Sequence, residues 1–116
     1  MTPALGQHSL FDFHGCPSDC LRATEEIRRA LLKAVREAGG TIVTETFHTF
    51  SPHGVSGVIV IAESHVTIHT WPEHGYAAVD VFSCGISLKH GVVRDQLAIV
   101  LQSARIDERA FPRGAI

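Results

Sequence analysis

The sequence predicts an α+β fold, a two-layer sandwich in which a mainly antiparallel sheet carries helices on one face. Two patterns predict it. Between Thr41 and Cys84, β-prone runs follow one another through short, turn-rich connections, which favour antiparallel hairpins over crossovers. Segments with apolar residues spaced three and four apart stand before and after this block and do not alternate with its strands, which argues against a parallel α/β architecture.

The first strand is read from His8 to Gly15, a short β-prone run able to lie at a sheet edge. A single helix follows, with Cys20, Ile27, Leu31, Ala34, Val35 and Ala38 marking one apolar face. Ser18 is placed to cap its start, and Glu25 stands four residues before Arg29, a favourable orientation. Gly39 and Gly40 supply a left-handed stop. Thr41 to Phe50 is β-branched and aromatic, hence a strand, and SPHGVSG is turn-rich. The continuous apolar run VIVIA from Val58 predicts a strand that is central or buried on both faces. HVTIHTW comes next and Pro72 ends it. After the turn PEHG, YAAVDVFSC is the last strand of the block. Val93, Leu97, Val100, Leu101 and Ala104 return to helical spacing, with Gly91 weakening the first turn. RIDERAF reads as a short closing strand and PRGAI as a tail. With helices on one face only, Phe47, Trp71 and Phe82 would lie wet on the other, and a second copy of the chain is the simplest cover.

The chain has 116 residues, which predicts one domain over 1–116. A formal net charge of −2 gives no electrostatic footprint for nucleic acid, and no basic run suggests an anionic membrane. No segment has the apolar length of a membrane span, and the N-terminus lacks the pattern of a secretory signal. Three cysteines, Cys16, Cys20 and Cys84, form no disulfide framework, and the expected location is cytoplasmic.

Reactive side chains concentrate between Ala62 and Gly85. In an extended SHVTIHTW, Val66 and Ile68 share one face while His65, Thr67, His69 and Trp71 share the other. On YAAVDVFSC the corresponding set is Tyr76, Ala78, Asp80, Phe82 and Cys84. Pairing these strands is expected to gather His69, Cys84 and Asp80 around one spot. Each residue also has an ordinary reading: a hydrogen-bonded strand histidine, a small buried cysteine, a serine bonded to its own backbone, an aspartate paired with a helix arginine. His65 and His69 are too far apart on a strand, roughly 13 Å, to share one zinc ion, so no metal is expected. A Cys84 nucleophile with a His69 base is chemically reasonable but leaves Ser64 without a role.

The stretch ESHVTIHTWPEHGYAAVDVFSCG, with TFHTFSPHGVSGVIVIAESH upstream and Arg113-Gly114 near the end, resembles the prokaryotic S-adenosylmethionine decarboxylase proenzymes. The resemblance is continuous from about Gly40 to Gly85 and weaker through both helical segments.

That resemblance implies self-cleavage at the Glu63–Ser64 bond, giving a β chain of residues 1–63 and an α chain of residues 64–116. Ser64 would become a pyruvoyl group, the cofactor that holds the substrate amine as a Schiff base. By the same resemblance His69 is the proton acceptor in processing, Ser56 assists processing, and Cys84 donates the proton that completes decarboxylation. A general base and a general acid suit these steps, and an ordinary imidazole and thiol can supply them near neutral pH. Phe50 would stack on adenine with His69 on its other face, and Glu73 would accept the ribose hydroxyls. The implied product is the aminopropyl donor for spermidine, and the implied assembly has two α and two β chains with sites at the dimer interface.

The chain departs from the family pattern at Phe13-His14, where a tyrosine is common second, and at His74, often aromatic. Some relatives of this family decarboxylate arginine or ornithine on the same scaffold, which keeps that alternative open. An uncut, non-catalytic binding partner is a third reading, against which the intact Ser64, His69 and Cys84 argue.

Overall fold

The computed structural model describes residues 4–115. Among these the order is β1 (Ala4–His14), α1 (Ser18–Arg22), α2 (Thr24–Glu37), β2 (Ile42–Thr49), β3 (Val55–Ile61), β4 (Ser64–Trp71), a 3-10 turn at Pro72–His74, β5 (Tyr76–Cys84), α3 (His90–Leu101) and β6 (Arg105–Ala115). The strands form one antiparallel sheet in the order β2-β3-β4-β5-β1-β6. The predicted α+β sandwich is what forms. None of the described helices is long and apolar enough to cross a membrane.

The helices pack on one face of the sheet. Phe11, Phe13, Ile59, Val66, Ile68, Val79 and Val81 from the strands meet Leu21, Ile27, Leu31, Val35, Val93, Leu97 and Leu101 from the helices. The alternation along β4 and β5 puts His65, Thr67, His69 and Trp71, with Tyr76, Asp80, Phe82 and Cys84, on the opposite, open face. Val58, Val60, Trp71 and Phe111, each about 40% exposed, lie among the apolar residues that the helices leave uncovered.

Several local expectations are corrected. The single helix is broken at Ala23, whose φ of −85° and ψ of 80° are not helical. Leu21 and Ile27 are both buried, yet six residues of continuous helix would set them roughly 120° apart. The break turns both inward, and Thr70 Oγ1 donates to the Leu21 carbonyl at 2.6 Å. Ser18 does not cap α1. It lies inside the helix, and its hydroxyl accepts from Arg22 at 2.9 Å. Gly39 does supply the left-handed stop, at φ +96°.

β1 is not an edge, because β6 pairs along its outer side from Ala4–Ala115 to His14–Arg105. β6 continues through the expected tail, since Pro112 is tolerated on an edge strand. β3 is central, but it buries only alternate residues, leaving Val58 and Val60 on the open face. Phe47 does not lie on that face. It is paired with Gly57 and packs toward the helices, its ring occupying the space a Cβ at Gly57 would need.

Candidate active site

β3 and β4 are joined by a two-residue turn, Ala62-Glu63, between the paired Ile61 and Ser64. Thr41 clamps this turn from both sides. Its carbonyl accepts from the Ala62 N–H at 2.8 Å, and its N–H donates to Glu63 Oε1 at 3.0 Å. The latter bond, the largest cause, holds the Glu63 carboxyl below its ordinary range. Ser64 follows with φ +153°, a value that L-residues rarely adopt and that costs on the order of 1–3 kcal/mol.

β5 lies across this turn, with Ser64 opposite Ser83. Cys84 therefore reaches the Glu63 carbonyl, its N–H donating at 2.9 Å and its thiol at 3.1 Å. Ser64 Oγ is 3.5 Å from Cys84 Sγ. Hydroxyl, carbonyl and thiol thus meet at one corner of the sheet.

His69 lies elsewhere. It pairs with Ser56 on β3 and Ala78 on β5, five residues along β4 from Ser64, or roughly 16 Å at ordinary strand rise. Ser56 Oγ and His69 Nδ1 are 2.7 Å apart. Within one chain, the expected gathering of His69, Cys84 and Asp80 does not occur. Asp80 is opposite Thr67 and bonds to Thr67, His8 and His65; no arginine of the helices is its partner.

Around His69 and Ser56 a cavity of about 280 Å³ is lined by Phe50, His53, Gly54, Thr70, Trp71 and Glu73. This one cavity unites Ser56, His69 and the expected substrate residues Phe50 and Glu73. Phe50 is held by its N–H to the Gly54 carbonyl at 2.8 Å and by an edge contact with His48 at 4.5 Å between centroids. Glu73 Oε1 is 3.4 Å from His53 Nε2. The sequence alone assigns no site role to His53 or Trp71. The alternation of β4 signals Trp71, whereas only the fold brings the 51–54 turn, and with it His53, to this cavity.

The S-adenosylmethionine decarboxylase family model matches residues 7–114. This chain belongs to that family. It is 44% identical to the S-adenosylmethionine decarboxylase proenzyme of Persephonella marina over all of this chain and 87% of the relative. It is 47% identical to the proenzyme of the same name from Thermosipho africanus over 96% of this chain and 85% of the relative. The crystal structure of adenosylmethionine decarboxylase from Aquifex aeolicus superposes with a TM-score of 0.90 at 40% identity, covering 98% of this chain and 94% of that one.

Proposed function

We propose that this member of the family cuts itself between Glu63 and Ser64 and, once cut, decarboxylates S-adenosylmethionine with a pyruvoyl group at position 64. The observation that carries the reading is the Glu63 carbonyl, held by the Cys84 N–H at 2.9 Å and thiol at 3.1 Å beside the Ser64 hydroxyl.

Processing follows from that corner. Ser64 Oγ attacks the Glu63 carbonyl carbon, and the oxygen that gains charge already has two donors from Cys84. The peptide C–N bond breaks, the nitrogen of residue 64 takes up a proton, and an ester remains. A base then removes the α-proton of residue 64, the bond from its β-carbon to oxygen breaks, and Glu63 leaves as a free carboxylate. The resulting dehydroalanine takes up water and loses ammonia to give the pyruvoyl carbonyl. Strain at Ser64 φ favours leaving the peptide ground state.

His69 is the base of this reading, with Ser56 orienting its ring through the 2.7 Å bond to Nδ1. Since His69 is far from Ser64 along its own strand, the base comes from a second copy packed on the open face. A two-fold pairing repeats every contact, so Ser64 and Cys84 of each copy meet Ser56, His69, Phe50 and Glu73 of the other. The processed assembly has two chains of residues 1–63 and two of residues 64–116.

Once formed, a pyruvoyl group supplies the carbonyl that captures the substrate amine and accepts the electrons released with carbon dioxide. In this reading Cys84 Sγ, 3.5 Å from Ser64 Oγ, delivers the proton to the substrate carbon. Phe50 and the His69 ring offer the two faces between which adenine lies, and the Glu73 carboxylate accepts from the ribose diol once His53 yields it. Arginine and ornithine have neither a flat base nor a diol, so this cavity favours the nucleoside substrate over the alternative.

The test is release of labelled carbon dioxide from carboxyl-labelled S-adenosylmethionine, arginine and ornithine side by side, on protein first shown by mass spectrometry to be two chains. Release from S-adenosylmethionine alone is expected. Release from arginine or ornithine alone overturns the substrate, and a chain that stays whole overturns the cofactor.

A further inference from the structure

A second cluster of ligating groups stands on the open face, apart from the residues assigned above. His8 from β1, His65 from β4 and Asp80 from β5 bring one ligand atom each to within 4.8 Å of one another. Nε2 of His8 and Nε2 of His65 both point at the same oxygen, Asp80 Oδ2, at 2.8 and 3.0 Å. The other carboxylate oxygen is held by the Thr67 hydroxyl, which fixes the plane of the group. Burial alone would raise the Asp80 carboxyl, but its bonds to Thr67, His8 and His65 outweigh that and hold it below its ordinary range. All three side chains are partly buried, with Phe82 and Phe111 rings packed around His8 at 5.3 and 5.6 Å between centroids.

We propose that His8, His65 and Asp80 bind a divalent transition-metal ion of the zinc class. Two imidazoles and one carboxylate form a donor set suited to such ions and unsuited to magnesium or calcium, which prefer oxygen alone. Three strands fix the ligands, and an atom cluster this tight needs only small side-chain rotations to close around an ion at about 2.0–2.2 Å. A carboxylate already oriented by a hydroxyl, with apolar rings beside it, is the outer support that ligating groups require.

Arg113 sets the affinity. Its Nη1 lies 3.2 Å from His8 Nδ1, and its guanidinium lies 5.2 Å from the centre of the Phe82 ring. As a donor to Nδ1 it keeps the ring proton of His8 on Nε2, the atom the metal needs. Metal entry moves that proton to Nδ1, so Arg113 must turn away, and its positive charge opposes the ion as well. Arg113 therefore weakens the site without destroying it.

The position gives the site a use. His8 belongs to residues 1–63, and His65 and Asp80 belong to residues 64–116, so an ion here joins the two sides of the Glu63–Ser64 bond. Metal binding does not require that bond to be cut, because the three ligands are assembled in the intact chain.

The experiment is a titration of metal-stripped protein with cobalt(II), read by its visible absorption, followed by displacement with zinc(II). Both wild type and the Ser64→Ala chain are used. One ion per chain is expected in each, with affinity lowered on the order of a hundredfold in His8→Gln, His65→Gln and Asp80→Asn. Arg113→Ala is expected to bind several-fold more tightly than wild type, a gain that a misfolded variant cannot mimic. No saturable cobalt spectrum in wild type, or an unchanged one in all three ligand variants, overturns the proposal. Weaker binding in Arg113→Ala overturns the role given to Arg113.

Discussion

The Glu63 carbonyl and Cys84 meet twice, through a backbone N–H at 2.9 Å and a thiol at 3.1 Å. Residue 84 therefore serves the cut and the later chemistry by different atoms. Cys84→Ala keeps the N–H and loses the thiol. Self-cleavage is expected to slow by about tenfold, since a thiol is a weak donor and the backbone donor remains. Decarboxylation by the fully cut variant is expected to fall by on the order of a hundredfold or more, because its proton source is gone. Near-normal turnover in a fully cut Cys84→Ala enzyme would remove the thiol from the mechanism.

The roughly 16 Å of β4 between Ser64 and His69 makes a prediction about mixed assemblies. Neither Ser64→Ala nor His69→Ala is expected to cut when expressed alone. Co-expressed, they form mixed dimers in which the Ser64 of the His69→Ala chain meets an intact His69. Only the His69→Ala chain is then cut, up to the fraction of mixed dimers. Mass spectrometry distinguishes the fragments. Absence of any cut chain in a demonstrated mixed dimer would put the base within the same chain.

The faces of β4 and β5 were legible in the sequence because alternation fixes which side chains share a surface. The register was not. Nothing in SHVTIHTW states that Ser64 pairs with Ser83 and His69 with Ala78, and that pairing separates the residues expected to meet. The same limit hid His8 and His65, whose common partner Asp80 is 72 residues from one and 15 from the other. Along the chain the histidine that invites comparison with His65 is His69, whereas the sheet brings it His8 from β1. The break at Ala23 is hidden in the sequence because Cys20, rather than the fully buried Leu21, fits the apolar stripe of a continuous helix.

The cavity around Phe50 and Glu73 separates binding from chemistry. Stacking on a base contributes about 1–3 kcal/mol, so Phe50→Ala is expected to raise KM for S-adenosylmethionine roughly ten- to a hundredfold. Glu73→Gln should raise it less, because the amide oxygen still accepts one bond. Self-cleavage, followed on denaturing gels, should proceed in both. A fall in kcat with unchanged KM in Phe50→Ala would count against stacking.

Tyr76, the only tyrosine of the chain, offers a clean titration. Its hydroxyl donates to Asp12 Oδ1 at 2.6 Å, and its ring stacks between Trp71 and His14, each 5.3 Å away by centroids. Burial, then the hydrogen bond and charge of Asp12, pushes the phenol up to about 12. A free phenol titrates near 10, so the folded state holds the proton more tightly than the unfolded chain. The stability contributed is fully present below about pH 10 and is lost as pH rises toward 12. Phenolate absorbance, followed together with far-ultraviolet circular dichroism, should give a midpoint about two units higher in native protein than in denaturant. Asp12→Asn should bring the midpoint down while leaving it above that of the unfolded chain, since burial is the larger cause. A native-state midpoint at the unfolded value would show that Asp12 and the stacked rings do not enclose the phenol.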